Sequence, residues 1–300
     1  MVRIGDQYAP DNRFKAAARL HQSKYRAEVL KVGFNEYGNR LSDEDAKALL
    51  NYYDKLNCRG MLRFRYPNYA KRRDADMLRS EHIPFNLLAP LITDEKSAIA
   101  IIKRAFGIEC TDIRCIKMEY APESKESYLN DGTAFDTYIE VIKAGGKKCG
   151  IGIEVKYTEQ AYPVGRTEKL NVEDHDSPYW RTARNSGSFI DADDPVFASD
   201  PLRQIWRNHL LGLSMIQRGN IDEFYSVTMF PAGNDHFHKE LPRYKYVLAI
   251  GASDHVLGCT FEKFIAAIAG SSDFLAWKEW LRRRYVVCGY RIVNDGQPVI

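Results

Sequence analysis

The sequence predicts an α/β fold: a central mixed β-sheet flanked by helices, with a helical extension at the N-terminus. Three observations carry that reading. The middle of the chain holds successive runs of β-type apolar alternation. Longer segments with helical apolar spacing lie on both sides of those runs. A glycine pair, Gly145-Gly146, separates two of the alternating runs by little more than a tight turn, which marks a hairpin.

From the N-terminus, residues 11–32 are expected to be helical. Asp11 or Asn12 can cap the start, and Phe14, Ala17, Ala18, Tyr25 and Val29 supply an apolar face. A second helix is expected over 42–56, with Ser42 as N-cap and Asp45 reaching back from the third helical position. Residues 82–106 read as a long apolar helix with a break at Pro90. Strands follow at about 113–120, 134–142 and 149–157. Residues 158–198 read as a long polar loop rich in Gly, Pro, Asp and Asn. A helix is expected over 199–218, a strand over 224–230, a further strand over 245–250, and a final helix over 260–284 with Glu262 in its first turn.

Composition narrows the function classes. Apolar residues make up 45% and charged residues 28%, an ordinary balance for a globular protein, and no apolar run is long enough to span a bilayer. The first residues, Met1-Val2-Arg3-Ile4-Gly5-Asp6, lack the apolar stretch of a secretory signal, so a cytoplasmic location with no membrane partner is the expectation. Six cysteines, Cys58, Cys110, Cys115, Cys149, Cys259 and Cys288, form no C-x-x-C pair and read as small buried hydrophobes. The net charge of +3 is unevenly shared. Residues 1–80 hold 17 Lys and Arg against 10 Asp and Glu, giving +7, and residues 81–300 carry −4. A basic extension (1–80) beside an acidic core (81–300) suits a polyanion-binding arm on a metal-binding domain; uneven surface charge is the alternative. Within that extension, residues 59–73 mix cations with rings. Arg63, Arg65, Lys71, Arg72 and Arg73 could neutralise phosphates while exposed rings stack on bases, or the segment is a solvated loop with its aromatics tucked inward.

The residues that carry chemistry lie on the hairpin. In the third strand Ile151, Ile153 and Val155 would face the core, and Gly152, Glu154 and Lys156 the other side. Asp136 stands on the neighbouring strand. A turn centred on Gly145 sets it opposite Glu154, and a turn centred on Gly146 sets it opposite Lys156. A turn between the glycines sends it to the wrong face. Two carboxylates brought to about 4–6 Å repel each other. A hard divalent cation relieves that repulsion, with the Val155 carbonyl as a further oxygen ligand. Lys156 could then orient or deprotonate an attacking water, or stabilise charge on a phosphate. Glu119, at the close of the first strand, could assist through a water. The competing reading of Glu154-Val155-Lys156 is a half-exposed strand bearing a surface ion pair.

Other clusters are weaker. Asp235, His236 and His238 resemble a metal cluster but fit an incidental loop as well. His209 suits a packed or capping role, and Ser186-Gly187-Ser188 lacks the partners of a serine triad. Arg282, Arg283 and Arg284 could grip phosphate or face solvent. No glycine-rich nucleotide loop is present.

The stretch Thr133-Ala-Phe-Asp-Thr-Tyr-Ile-Glu140, followed by Gly150-Ile-Gly-Ile-Glu-Val-Lys-Tyr-Thr-Glu159, resembles the PD-(D/E)XK nuclease superfamily, and within it an uncharacterised bacterial branch of restriction-endonuclease-like proteins. Ala17-Ala-Arg-Leu20, Asp74-Ala-Asp-Met-Leu78, Phe85-Asn-Leu-Leu88, Met118-Glu-Tyr-Ala-Pro-Glu123, Gln204-Ile-Trp-Arg-Asn-His-Leu-Leu211 and Trp280-Leu-Arg-Arg-Arg-Tyr285 extend the likeness over nearly the whole length. The resemblance implies a restriction-endonuclease-like sheet, nucleic-acid cleavage and dependence on Mg²⁺, with Mn²⁺ as a substitute. It maps the metal carboxylates onto Asp136 and Glu154 and the lysine onto Lys156. It also points to Gln204 as an assisting residue and, by position alone, to Glu81. Phe135 replaces the motif's proline. The leading expectation is a Mg²⁺-dependent deoxyribonuclease, with DNA favoured over RNA and a homodimer left open. An idle nucleic-acid binder of the same fold and a two-carboxylate glycosidase are the rivals.

Overall fold

The structure, a computed structural model, describes residues 3–160 and 164–287. Its centre is a five-stranded mixed sheet whose spatial order follows the chain: β1 (Asp112–Tyr120), β2 (Phe135–Ile142), β3 (Lys148–Val155), β4 (Glu223–Phe230) and β5 (Val256–Thr260). β2 runs antiparallel to both of its neighbours, β1 and β3, and β3, β4 and β5 run parallel. This is the mixed, helix-flanked α/β sheet that the sequence predicts.

The turn from β2 to β3 is centred on Gly145. Ile142 pairs with Lys148, and the Lys143 N–H donates to the Lys147 carbonyl at 2.9 Å. Gly145 and Gly146 take φ of +84° and +82°, a left-handed region costly for any residue with a Cβ. The loop is therefore odd in length, one of the two registers that keep Asp136 on the face of Glu154.

Each face of the sheet packs a separate apolar cluster. On one side Ile139, Val141, Ile151, Ile153, Val155, Val227 and Met229 meet the helices Ile83–Leu87, Glu95–Phe106, Phe261–Ala267 and Ser272–Tyr285. On the other side Tyr138, Phe224 and Phe230 meet the helices Pro178–Ser186, Asp200–Gln217 and Asp235–Tyr246. The alternation in β3 thus points its odd-numbered residues into the first cluster, as expected from period two. Residues of the N-terminal segment, among them Ala18, Leu49, Tyr52, Tyr53 and Leu62, belong to that same first cluster. Gln22 also hydrogen-bonds the Tyr157 hydroxyl and the Arg284 carbonyl, both at 2.8 Å.

Several element boundaries differ from expectation. Asn12 caps the helix Arg13–Lys24, which continues as a π-turn to Leu30. Ser42 caps as predicted, accepting the Asp45 N–H, but that helix ends at Lys47. The apolar run 82–106 divides into Ile83–Leu87, a 3-10 turn Ala89–Thr93 and Glu95–Phe106; the last break falls at Asp94, which takes an extended conformation and caps a fresh helix through the Ser97 N–H. The segment 158–198, expected to be a loop, contains the helices Arg166–Glu173 and Pro178–Ser186. Residues 245–250 are not a strand: they end a helix and form one bridge, Phe189 to Leu248, while the fifth strand lies at 256–260. The last predicted helix breaks between Ala267 and Ser272. Cys58, Cys149 and Cys259 are buried and Cys110 and Cys115 half-buried, all as free thiols; Cys288 lies outside the described residues. No helix among the described residues is long and apolar enough to cross a membrane.

Candidate functional site

Strand register brings three carboxylates into one row across β1, β2 and β3. The pairs Met118 with Thr137 and Tyr120 with Phe135 bracket Glu119 and Asp136. The last pair between β2 and β3 is Thr137 with Ile153, and the next step of that register sets Asp136 across from Glu154. Glu154 in turn pairs with Thr228 of β4. At this end β2 and β3 part. The Val155 N–H bonds the Asp136 side chain, Oδ2, at 2.6 Å, and the Lys156 N–H crosses to the Met229 carbonyl at 2.8 Å.

Glu154 and Lys156 share a face and form an ion pair, Nζ to Oε1, in which Lys156 is almost fully buried. The other oxygen of Glu154 accepts the Asn208 side-chain N–H at 2.8 Å. Asn208 comes from the helix Asp200–Gln217, which lies close over β3 and β4. Two glycines permit that approach. A Cβ on Gly212 would meet the Phe224 ring at 2.1 Å, and one on Gly152 would meet the rings of Phe135 and Phe224 at 2.5 and 2.7 Å. The ring of Phe224 therefore fills the space that two side chains would need.

The electrostatics are those of crowded acids. Burial, then the charges of Glu154 and Glu119, pushes the Asp136 carboxyl well above the ordinary range; Lys156 and the Val155 N–H pull it back. Burial and then Glu154 raise Glu119 to about 7, against the Tyr66 hydroxyl and the Arg65 guanidinium. Glu119 also sits at φ +52°, in the left-handed region inside a strand, a conformation that costs on the order of 1 kcal/mol for a residue with a Cβ. The donors gathered here are all oxygens, which suits a hard divalent cation rather than a soft one. Among the described residues no three His, Cys, Asp or Glu side chains are already set around a single point for an ion.

The remaining candidates fall differently. Gln204 is half-buried on the Asp200–Gln217 helix, and the contact to Glu154 comes from Asn208, one turn further along. Arg207, between them, binds Glu168 at 2.7 Å, as does Arg203. Spacing of i and i+4 on the Gln204-to-Leu211 stretch was the available signal for Asn208. Glu81 is close enough to raise Glu119 and pairs with Arg72 at 3.1 Å and Arg79 at 3.5 Å.

Arg63, Arg65, Lys71 and Arg72 are exposed, and Arg65 reaches the Glu119 carbonyl at 3.4 Å. Arg73, by contrast, is buried, ion-paired with Asp74 at 2.8 Å and laid over the Tyr66 ring. Asp235, His236 and His238 start a helix rather than sit in a loop, and His238 bonds the Ala232 carbonyl. His209 is packed, bonding the Tyr244 hydroxyl at 2.9 Å. Arg284 is fully buried against Asn51, and Arg282 pairs with Glu279 on the surface.

Compared with known proteins, residues 9–287 match the model of the PD-(D/E)XK nuclease superfamily. No curated protein and no solved structure matches.

Proposed function

Because the chain belongs to the PD-(D/E)XK nuclease superfamily over residues 9–287, we propose that the carboxylate row is its catalytic centre, cutting phosphodiester bonds of nucleic acid, DNA above RNA, with a divalent metal, Mg²⁺ or Mn²⁺. One observation carries the reading: Asp136, Glu119 and Glu154 crowd together at the splayed end of β2 and β3, and Asp136 is held where its own charge is unfavourable. A fold does not retain such a cluster for stability.

Asp136 and Glu154, with the Val155 carbonyl, would hold the ion, and Glu119 would bind it directly or through water. When bound, the ion supplies charge neutralisation and an acidified water. The protein's own groups do the rest. The Val155 N–H fixes the Asp136 carboxylate, and Asn208 fixes Glu154. Lys156, held by Glu154, would stand beside the reacting phosphate, where its ammonium would orient the water or meet the charge developing on phosphate oxygen.

Calorimetric titration with Mn²⁺ separates these roles. Wild type is expected to bind the ion, Asp136→Ala to lose at least ~10-fold in affinity, and Lys156→Ala to bind nearly as wild type while losing cleavage by about 10³-fold, the scale of one lost transition-state contact. Mn²⁺ affinity indifferent to Asp136→Ala would overturn the assignment.

A further inference from the structure

A cavity of about 250 Å³ is lined by Lys15, Arg19, Arg40, Arg79, Asp76 and Glu159, among others. Two segments link it to the carboxylate row. Thr158 follows Lys156 by two residues, in the bend where the chain leaves β3. Arg79 touches Glu81, whose charge acts on Glu119. The Ser80 N–H bonds Glu159 at 3.0 Å and ties the two borders together.

The lining holds four cations and two acids, and the acids are already engaged. Glu159 accepts the N–H groups of Ser80, Tyr157 and Thr158. Asp76 accepts the Asn39 side chain at 2.7 Å and the Leu78 N–H at 3.1 Å. Arg19 is likewise engaged, by Asp11 and Asn39. Arg40 pairs with Glu36 and stands 3.8 Å from Asp76, and Arg79 pairs with Glu81 at 3.5 Å, contacts that leave part of each guanidinium uncommitted. The Nε groups of Arg40 and Arg79 are buried without a hydrogen-bond partner. Lys15 stands 3.7 Å from Asp11 with its side chain 39% exposed. Buried guanidinium N–H groups without acceptors call for an anion.

We propose that this cavity is a phosphate subsite: Lys15, Arg40 and Arg79 hold a phosphate of the strand being cut, flanking the scissile one. The idea rests on the nuclease reading above and adds to it a site in the N-terminal segment, supplied by residues outside the 59–73 stretch. The row of carboxylates repels a polyanion, so a substrate strand needs cations immediately beside it. This cavity provides them on the side where the chain leaves β3.

The test is binding of fluorescein-labelled DNA in EDTA, followed by anisotropy across a salt series. Compared are wild type, Lys15→Gln/Arg79→Gln, and Lys103→Gln/Arg104→Gln, which removes equal charge from exposed positions near the start of β1, at the other end of that strand from Glu119. The pocket variant is expected to bind about 10-fold more weakly and to lose about one unit of salt slope, the value for one phosphate contact. The control is expected to match wild type. Lys15→Gln alone, at an exposed position, should show part of the loss and guards against a folding defect. A pocket variant indistinguishable from the control overturns the subsite. Cleavage in Mg²⁺ keeps the two claims apart. Intact cleavage with no pocket effect removes the subsite and leaves the nuclease. A pocket effect on a protein that cuts nothing removes the nuclease and leaves an anion site.

Discussion

At the scale of single residues, the central fact is charge held where it costs energy. Glu119 has its carboxyl raised to about 7, from an ordinary value near 4.5. A carboxyl raised in the folded state binds more protons there than in the unfolded chain between those two values. Stability is therefore lost as pH rises from 4.5 to 7, by up to about 1.4 kcal/mol per unit. Glu119→Gln should remove that loss. Without divalent metal, urea unfolding at pH 8 is expected to show the variant more stable by on the order of 1–3 kcal/mol, with little difference at pH 4.5. A destabilised variant at pH 8 would mean that the carboxylate is satisfied by contacts other than those described. Asn208 has the opposite role. Its N–H engages the Glu154 oxygen that Lys156 leaves open. Asn208→Ala should cost cleavage about 10-fold or more with a small change in melting temperature, and an unchanged rate would remove Asn208 from the positioning set.

At the scale of elements, the site exists because β2 and β3 are in one register and the Asp200–Gln217 helix comes close. Gly212→Val tests the approach. Its side chain would run into Phe224, so a loss of about 1–3 kcal/mol in unfolding free energy is expected, with reduced cleavage as Asn208 is carried away from Glu154. Much of this level was legible beforehand. The Gly145-Gly146 pair and the period-two alternation limited the hairpin to two useful registers, and local turn chemistry chose Gly145. The site residues on β2 and β3 follow from those same short-range rules. What was not legible depended on tertiary context. The 158–198 stretch, rich in Gly, Pro, Asp and Asn, reads as loop, but Pro178 opens the helix Pro178–Ser186, where a missing N–H costs nothing. Residues 245–250 have strand-like composition yet end a helix, while the true edge strand, five residues containing Gly258, has too little pattern to announce itself. Asn208 could not be preferred over Gln204 without knowing how the helix is rotated against the sheet.

At the scale of the whole molecule, the N-terminal charge excess resolves into two kinds of cation. Arg26 and Arg73 are consumed within the fold, where they bond carbonyls or Asp74. Arg65 reaches the Glu119 carbonyl, and Lys15 and Arg79 line the cavity described above. The global pH response has a separate origin. Burial, with a smaller push from His255, lowers His209 to about 3. The unfolded chain then binds a proton that the folded chain refuses between 6.5 and about 3, so stability falls as pH drops below 6.5, by about 1.4 kcal/mol per unit. His209→Phe should flatten that slope, at a cost of about 1 kcal/mol near neutrality from the Tyr244 hydroxyl left without its partner. Urea midpoints at pH 5 and pH 7.5 measure both effects, and an unchanged slope would place the acid sensitivity elsewhere.

The most direct measurement of the central claim is cleavage of labelled DNA in Mg²⁺ by wild type and by the double variant Asp136→Ala/Glu154→Ala, with folding of both verified by circular dichroism. The carboxylate row predicts products from wild type that disappear in EDTA, and none from the folded double variant. Undiminished cleavage by that variant would contradict it.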